Sequence, residues 1–217
     1  MSRPGIAWSV AILLVIGLIF LSLQRNSFPA ISGTGIHAPS AWKDSDNNRI
    51  RVSTYNIHRG KGLDRKRDIS RIVDLVRNDD VSGLQEVRGP WFFGSENQAE
   101  YLGGELDSGW LFAPTQTRFN HIYTGNGLLS RIAVDSWAVT PLLWSESGQG
   151  LASRRHRNRI TARITISGVP VTIINTHLDR GDIRTAQLGN LLAEFDRHEY
   201  VILLGDLNTN PGAPEIV

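Results

Sequence analysis

The chain contains no cysteine, which excludes disulfides, thiol catalysis and cysteine-ligated zinc and leaves the redox compartment open. It has no strong excess of either charge. Its 23 lysines and arginines against 21 aspartates and glutamates leave a net charge of +2, too small to argue for any class of partner even with a sequence pI of 9.2. No Gly-x-Ser-x-Gly elbow and no Gly-x-x-x-x-Gly-Lys-Ser/Thr loop occurs, so two common signatures of nucleophilic hydrolysis and phosphate cradling are missing. No internal repeat is strong enough to organise a fold. What is present is the composition of a folded protein: 217 residues, 41% hydrophobic and 20% charged, room for one domain of ordinary size with a buried core.

One long apolar run stands out. Gly5 to Leu23 carries no charge over 19 residues, close to the ~20 that a helix needs to cross a bilayer. Residues 1–4 are read as a short flank and 5–23 as an uncleaved transmembrane signal anchor. A cleaved signal peptide is the competing reading, but its apolar region is usually about 7–15 residues long and is followed by a small-x-small site. The succeeding "QRNSFPAISGTGIHAPS" offers no such site. Arg3 and the amino terminus oppose Arg25 and Lys43, so orientation is weakly specified. The usual arrangement of such an anchor predicts a single-pass membrane protein with the rest of the chain outside the cytoplasm. Residues 24–48, rich in Gly, Ser, Pro and Asn and without a period, read as a linker, and a folded domain is expected over 49–217.

From Arg49 onward, strand-like and helix-like segments alternate. "RIRVSTYNI" alternates apolar and polar, with Ile50, Val52 and Thr54 on one face. "DISRIVDLVRND" places Ile69, Ile72, Val73 and Val76 at helical spacing, and "VSGLQEV" follows as a short strand. "SENQAEYLGGELD" predicts a short helix capped by Ser95. Strand candidates then come in series: "GWLFAPTQ", "NGLLSRIAV", "SWAVTPLL", "RITARITIS" and "VPVTIINTHL", the last two joined by a turn at Ser167-Gly168. "DIRTAQLGNLLAEFDRH" predicts a helix capped by Asp182, with Ile183, Ala186, Leu191, Leu192 and Phe195 on its apolar side, and "YVILLGDLN" is the final strand. Many strands with a few interspersed helices suggest an α/β architecture of two packed sheets with helices outside. Periodicity does not yield their connectivity.

Four of these strands end in polar groups: "STYNIHRG" with Asn56, "GLQEV" with Glu86, "INTHLD" with His177 and "LLGDLNTNP" with Asp206 and Asn208. Taken singly, each has an ordinary structural explanation: a surface Glu, a hydrogen-bonded His, or an Asp-Asn pair capping a Pro-Gly turn. As a set they permit definite chemistry. Glu86 and Asp206 are hard oxygen donors suited to Mg²⁺ or Mn²⁺. Asn56 and Asn208 can donate to a phosphoryl oxygen or present a carbonyl to a metal. His177 can stabilise negative charge growing on phosphorus. A metal that activates water and polarises P–O fits phosphodiester hydrolysis better than acyl transfer.

The ordered series "YNIHRGKG", "LQEV", "GNGLLSR", "INTHLD" and "GDLNTNP" resembles the endonuclease/exonuclease/phosphatase superfamily, from about Arg51 to the C-terminus. The resemblance implies a DNase I-like four-layer α/β sandwich, two mostly antiparallel sheets flanked by helices, and Mg²⁺-dependent hydrolysis of phosphoesters, with Mn²⁺ as a substitute. It makes Glu86 the main metal ligand with Asn56 beside it, His177 the phosphate-stabilising histidine and Asp206 the residue that orients the attacking water and adjoins the metal. Asn208 becomes a phosphate or transition-state contact, and Asn126, in "GNGLLSR", a residue near the substrate. The family pattern continues to a Ser-Asp-His motif, and nothing resembling it lies in the seven residues after Asn210. The domain is therefore expected to be incomplete at its C-terminus.

Three features bear on substrate. "RRHRNR" (154–159), with Arg163, suits either a polyanion or a solvated loop; "GPWFFG" (89–94) suits a lipid interface, a stacked base or packing under its own loop; the anchor holds the domain at a membrane. The first reading is a membrane-tethered phosphodiesterase or phosphatase acting on lipid headgroups or other extracytoplasmic phosphoesters, with no protein partner. The alternatives are a membrane-anchored nuclease of the same chemistry, and a catalytically inactive remnant or phosphate-binding module.

Overall fold

Ten strands and four helices appear in the computed structural model, which describes residues 4–23, 25–27, 32–36, 49–90, 96–118, 121–142, 156–210 and 212. The first sheet contains β1 (Arg25–Ser27), β2 (Thr34–Ile36), β3 (Val52–Asn56), β4 (Val81–Arg88), β5 (Gly109–Arg118) and β6 (His121–Ser130). Its order is β1-β5-β6-β4-β3, with β2 also paired to β5. The second contains β7 (Val134–Pro141), β8 (Asn158–Ile166), β9 (Val169–His177) and β10 (Val201–Asp206), in the order β10-β9-β8-β7. All neighbours are antiparallel except β3/β4 and β9/β10. Parallel neighbours need a crossover, and the two crossovers carry α2 (Ser70–Val76) and α4 (Asp182–Phe195). The remaining helices are α3 (Gln98–Leu106), between β4 and β5, and α1 (Pro4–Leu23).

Three apolar clusters define the layers. Between the sheets, Leu111, Ala113 and Leu128 of the first meet Ile160, Ala162, Ile164 and Ile173 of the second. On the outer face of the first sheet, Leu84, Val87 and Phe112 pack with Ile72, Val73 and Val76 of α2 and with Ala99, Leu102 and Leu106 of α3. Outside the second sheet, Ile174 packs with Leu188 and Leu191 of α4. The layers are therefore helix, sheet, sheet, helix, and each fully buried Leu or Ile contributes roughly 1.5–3 kcal/mol.

The helical spacing read for α2 holds, with Ile72, Val73 and Val76 buried. Ser167 (φ 48°) and Gly168 (φ 81°) form the expected tight turn between β8 and β9. Other expectations are corrected. The cap of α3 is Asn97, whose side chain accepts from Glu100 N at 3.0 Å, and Ser95 lies outside the described residues. Asp182 is the first residue of α4 and not its cap; Gly181 holds that place with no side-chain bond. The buried side of α4 is Gln187, Leu188 and Leu191, whereas Ala186 and Leu192 are exposed. Gln187 takes a core position because its Oε1 accepts from Asp179 N at 2.8 Å. The segment read as a linker is partly sheet: β1 pairs with β5 from Arg25↔Arg118 and β2 from Thr34↔Phe112. Unpaired N–H and C=O groups along β5 accept such short strands whatever their side chains.

The apolar N-terminal run forms α1 over 20 residues. Its described side chains run from Trp8 to Ile19 and all are exposed. Among the described residues, no helix is long and apolar enough to cross a membrane.

Candidate active site

The two parallel pairs bring four polar side chains to one end of the sandwich. Asn56 closes β3, Glu86 lies near the end of β4, His177 closes β9 and Asp206 closes β10 directly beside it in the ladder. Strands β3 and β10 adjoin one another, as do β4 and β9. Carboxyl ends of parallel strands are the usual place for a ligand in α/β proteins.

The second-sheet side is closely hydrogen-bonded. Asn56 Nδ2 donates to Asp206 Oδ2 at 2.9 Å, and Asn208 N donates to Asp206 Oδ1 at 3.0 Å. The Asn208 side-chain amide faces Leu178 O at 2.8 Å and His177 Nε2 at 3.0 Å through its nitrogen, while its Oδ1 accepts from Arg180 Nε at 3.0 Å. Those partners orient the amide so that His177 Nε2 accepts, which leaves the proton of a neutral ring on Nδ1. Burial pushes the His177 pKa down to about 4, helped by the Arg157 cation and opposed by the carboxylates of Asp206, Glu86 and Asp179. Burial acts to raise the Asp206 pKa, but the bonds from Asn56 and Asn208 outweigh it and hold the carboxyl below its ordinary value. At neutral pH the pair is therefore carboxylate and uncharged imidazole, with 3.5 Å between Asp206 Oδ2 and His177 Nε2.

Glu86 is placed differently. From Leu84 to Val87 the chain of β4 advances three residues while its partner goes from Gly127 only to Gly125, so β4 carries one extra residue. Glu86 sits in this bulge at φ 54°, a left-handed conformation that costs a non-glycine residue about 1–3 kcal/mol. Its carboxylate meets Arg59 Nη1 at 2.8 Å. Arg59 itself belongs to a left-handed turn, His58 to Gly60, whose φ values are 47°, 59° and 73°. Behind the bulge, Asn175 of β9 reaches across from the other sheet. Its Nδ2 donates to Leu84 O (3.2 Å) and Gly127 O (2.7 Å), and its Oδ1 accepts from Gln85 Nε2 at 2.7 Å. Gln85 and Asn175 are fully buried, and the ring of bonds ties the Glu86 bulge to the strand that ends in His177.

A polar cleft of about 190 Å³ opens here, lined by His58, Arg59, Glu86, Thr115, Thr124, Asn126, Arg157 and His177, among others. Of the residues singled out in the sequence, Glu86, Asn126 and His177 line it. Asn56, Asp206 and Asn208 are gathered behind His177. Asn126 is buried and its Nδ2 is taken by Asn158 O and Oδ1 (3.1 and 2.9 Å), so its nitrogen is turned into the sandwich. Both hydrogens of the Asn208 amide are likewise engaged, on Leu178 and His177. Arg59, Arg157, Gln85 and Asn175 were not singled out. Arg59 lies inside the quoted "YNIHRG", and its Gly60 neighbour was the available signal. Arg157 was hidden in "RRHRNR". In that run Arg157 and Arg159 are buried; Arg157 Nη2 lies 3.5 Å from Asp179 Oδ1, and Arg159 pairs with Glu194 at 3.2 Å. Arg154 and Arg155, and the aromatic residues 91–93 of "GPWFFG", lie outside the described residues.

Among the described residues, no group of three or more His, Asp or Glu side chains is arranged to hold a metal ion. The donors present still suit a small hard cation, because Mg²⁺ keeps several waters and takes only one or two carboxylates. Glu86 and Asp206 are carboxylates of that kind, and the Asn56 amide is hydrogen-bonded to Asp206.

Fold and site together define a two-sheet α/β sandwich with carboxylates, amides, a buried imidazole and arginines around one polar cleft. The chain belongs to the Endonuclease/Exonuclease/phosphatase family, whose model matches residues 53–217. The fold is shared with an endonuclease/exonuclease/phosphatase from Beutenbergia cavernae (TM-score 0.60, 23% identity, covering 76% of this chain and 49% of that one). It is shared also with the human Nocturnin catalytic domain with bound sulfate (0.58, 19%, 85% and 70%) and a mannosyl-6-phosphatase from Bacteroides thetaiotaomicron (0.58, 17%, 77% and 68%). The chain thus spans about half the length of the first of these. No curated protein matches it.

Proposed function

We propose that this chain is a divalent-metal-dependent hydrolase of phosphoester bonds, tethered to a membrane by α1 and acting on lipid headgroups or other extracytoplasmic phosphoesters. The observation that carries the hydrolytic reading is the hydrogen-bonded set Asn56–Asp206–Asn208–His177 beside a cleft that also holds Glu86 and Arg157. Glu86, with Asp206 and Asn56, would hold Mg²⁺ or Mn²⁺, which supplies polarisation of a P–O bond and a more acidic bound water. Arg157 and Arg59 bring positive charge to the cleft and draw a phosphate into it. Asp206, held ionised by its two donors, keeps lone pairs with which to orient an attacking water. His177 contributes a hydrogen-bonding ring next to the phosphate, and Asn208 fixes its orientation. Support for the tether is the exposed, uncharged helix α1. Residues 49–217 would be the catalytic unit, linked to the anchor through 24–48.

The test is hydrolysis by the full chain, with Mg²⁺ or with chelator, of three substrates in parallel: sphingomyelin or lysophospholipid vesicles, inositol phosphates and plasmid DNA. Mg²⁺-dependent release from the lipid is expected. Cleavage of plasmid alone would make the protein a nuclease. Metal binding without hydrolysis of any substrate would make it a phosphate-binding module.

A further inference from the structure

Beside the cleft, the segment after Gly60 forms a small ordered loop that the hydrolytic site does not use. Lys61 and Arg67 make an isolated antiparallel bridge. Gly62 N donates to Lys66 O and Arg65 N to Gly62 O, both at 2.9 Å, and Asp68 N donates to Gly60 O at 2.8 Å. Lys66 N donates to Asp64 Oδ1 at 3.0 Å, and Arg65 takes φ 63° to complete the turn. The two carboxylates within reach, Asp64 and Asp68, both turn to Arg71, at 2.9 and 3.4 Å. Lys61, Arg65, Lys66 and Arg67 are exposed and form no ion pair with a described residue. Leu63, at the tip, is 106% exposed. Folding has therefore ordered four cations and one apolar side chain into water, next to His58 and Arg59 at the cleft.

We infer that the loop Lys61–Arg67 is a docking arm for an anionic lipid surface. Each Lys or Arg near such a surface strengthens attachment by roughly five-fold, and an apolar side chain among cations is the composition of an element that enters the headgroup region. A nucleic-acid backbone would use the same cations but gain nothing from Leu63, and the loop holds no aromatic side chain on which a base stacks. The choice of lipid over nucleic acid rests on the proposed tether, which would keep the loop close to a bilayer. Docked in this way, the loop turns the cleft toward the headgroups.

The absence of cysteine makes the test clean. Full-length Leu63→Cys protein carries an environment-sensitive nitrobenzoxadiazole label at the tip. Ser167→Cys carries it in the β8–β9 turn, at the other end of β9 from His177. With vesicles of phosphatidylcholine containing about one-third phosphatidylglycerol, the label at 63 should brighten about two-fold or more over pure phosphatidylcholine, and the label at 167 should not. Replacing Lys61, Arg65, Lys66 and Arg67 by Gln in the Leu63→Cys background should abolish the difference. Equal responses to both vesicles would overturn the inference, as would a larger response to a DNA duplex than to anionic vesicles. Flotation with neutral vesicles reads the α1 tether separately, and neither readout depends on hydrolysis.

Discussion

Each sheet contributes one strand–helix–strand unit to the site, β3–α2–β4 from the first and β9–α4–β10 from the second, and the two solve the same problem differently. In the second, the strands run regularly to their ends, and Asp206 pairs with His177 in an unbroken ladder. Its polar groups are satisfied by one another and by Asn56, which reaches over from β3 of the first sheet: Asn56, Asn208 and His177 close around Asp206. In the first, β4 breaks its register at Glu86, accepts a left-handed backbone there, and pairs the carboxylate with the Arg59 guanidinium, which the cation proposed above would have to displace. One half is a pre-organised hydrogen-bonding surface, and the other is a strained, exchangeable anionic position. Under the metal-dependent hydrolysis proposed above, the cation would meet Glu86 on the first side and Asp206, already ordered by its donors, on the second.

The most severe way to break the contrast is Glu86→Gln. It removes the charge from the exchangeable half, and calorimetric Mn²⁺ affinity and Mg²⁺-dependent hydrolysis should both fall, the latter by about a thousand-fold, or ~4 kcal/mol. Unchanged metal affinity would remove Glu86 from the ligand set. Next is His177→Ala in the fixed half, expected to lower kcat by about a hundred-fold with little change in KM, because the ring acts on charge that develops during the reaction. A change confined to KM would make it a ground-state contact.

Asn175→Ala attacks the link between the halves. It takes the Asn175 amide away from Leu84 O and Gly127 O, and from the Gln85 amide, which keeps Thr54 Oγ1 and Gly83 O. Urea unfolding should show a loss of about 1–3 kcal/mol. A loss near zero would mean that the bulge is held by its own ladder. The smallest effect is expected from Arg59→Ala, with the opposite sign. Freed of its guanidinium, Glu86 should bind Mn²⁺ a few-fold more tightly, the modest scale of a partly exposed ion pair. Weaker binding would show instead that Arg59 holds the carboxylate in its useful rotamer.

Patterns that depend on near neighbours in the chain were legible in the sequence. Ile72, Val73 and Val76 recur at helical spacing, and α2 buries them. Ser167-Gly168 has turn chemistry, and a turn forms. Asn56, Glu86, His177 and Asp206 each follow an apolar run, and so each falls near a strand end. Where a distant partner decides, local reading went astray. Gln187 looks like a surface residue of α4, yet Asp179 N draws it into the core. Residues 25–27 and 34–36 have little strand character, but the edge of β5 pairs with them. The run 154–159 suited a polyanion surface or a solvated loop alike, and instead Arg157 and Arg159 are buried beside Asp179 and Glu194 from elsewhere in the fold.

By itself the sequence carried the motif series by which it resembles the family, and its periodicity and residue chemistry determined the succession of strands and helices from β3 onward and the inventory of donors at the strand ends. Only the tertiary structure decided that four strand ends meet, that Glu86 stands on a bulge braced by Asn175, that Asn208 serves His177, and that His177 is uncharged. The physical reason is common to all four. Each depends on burial and on hydrogen bonds between groups far apart in the chain, and those terms do not exist until the two sheets close on one another.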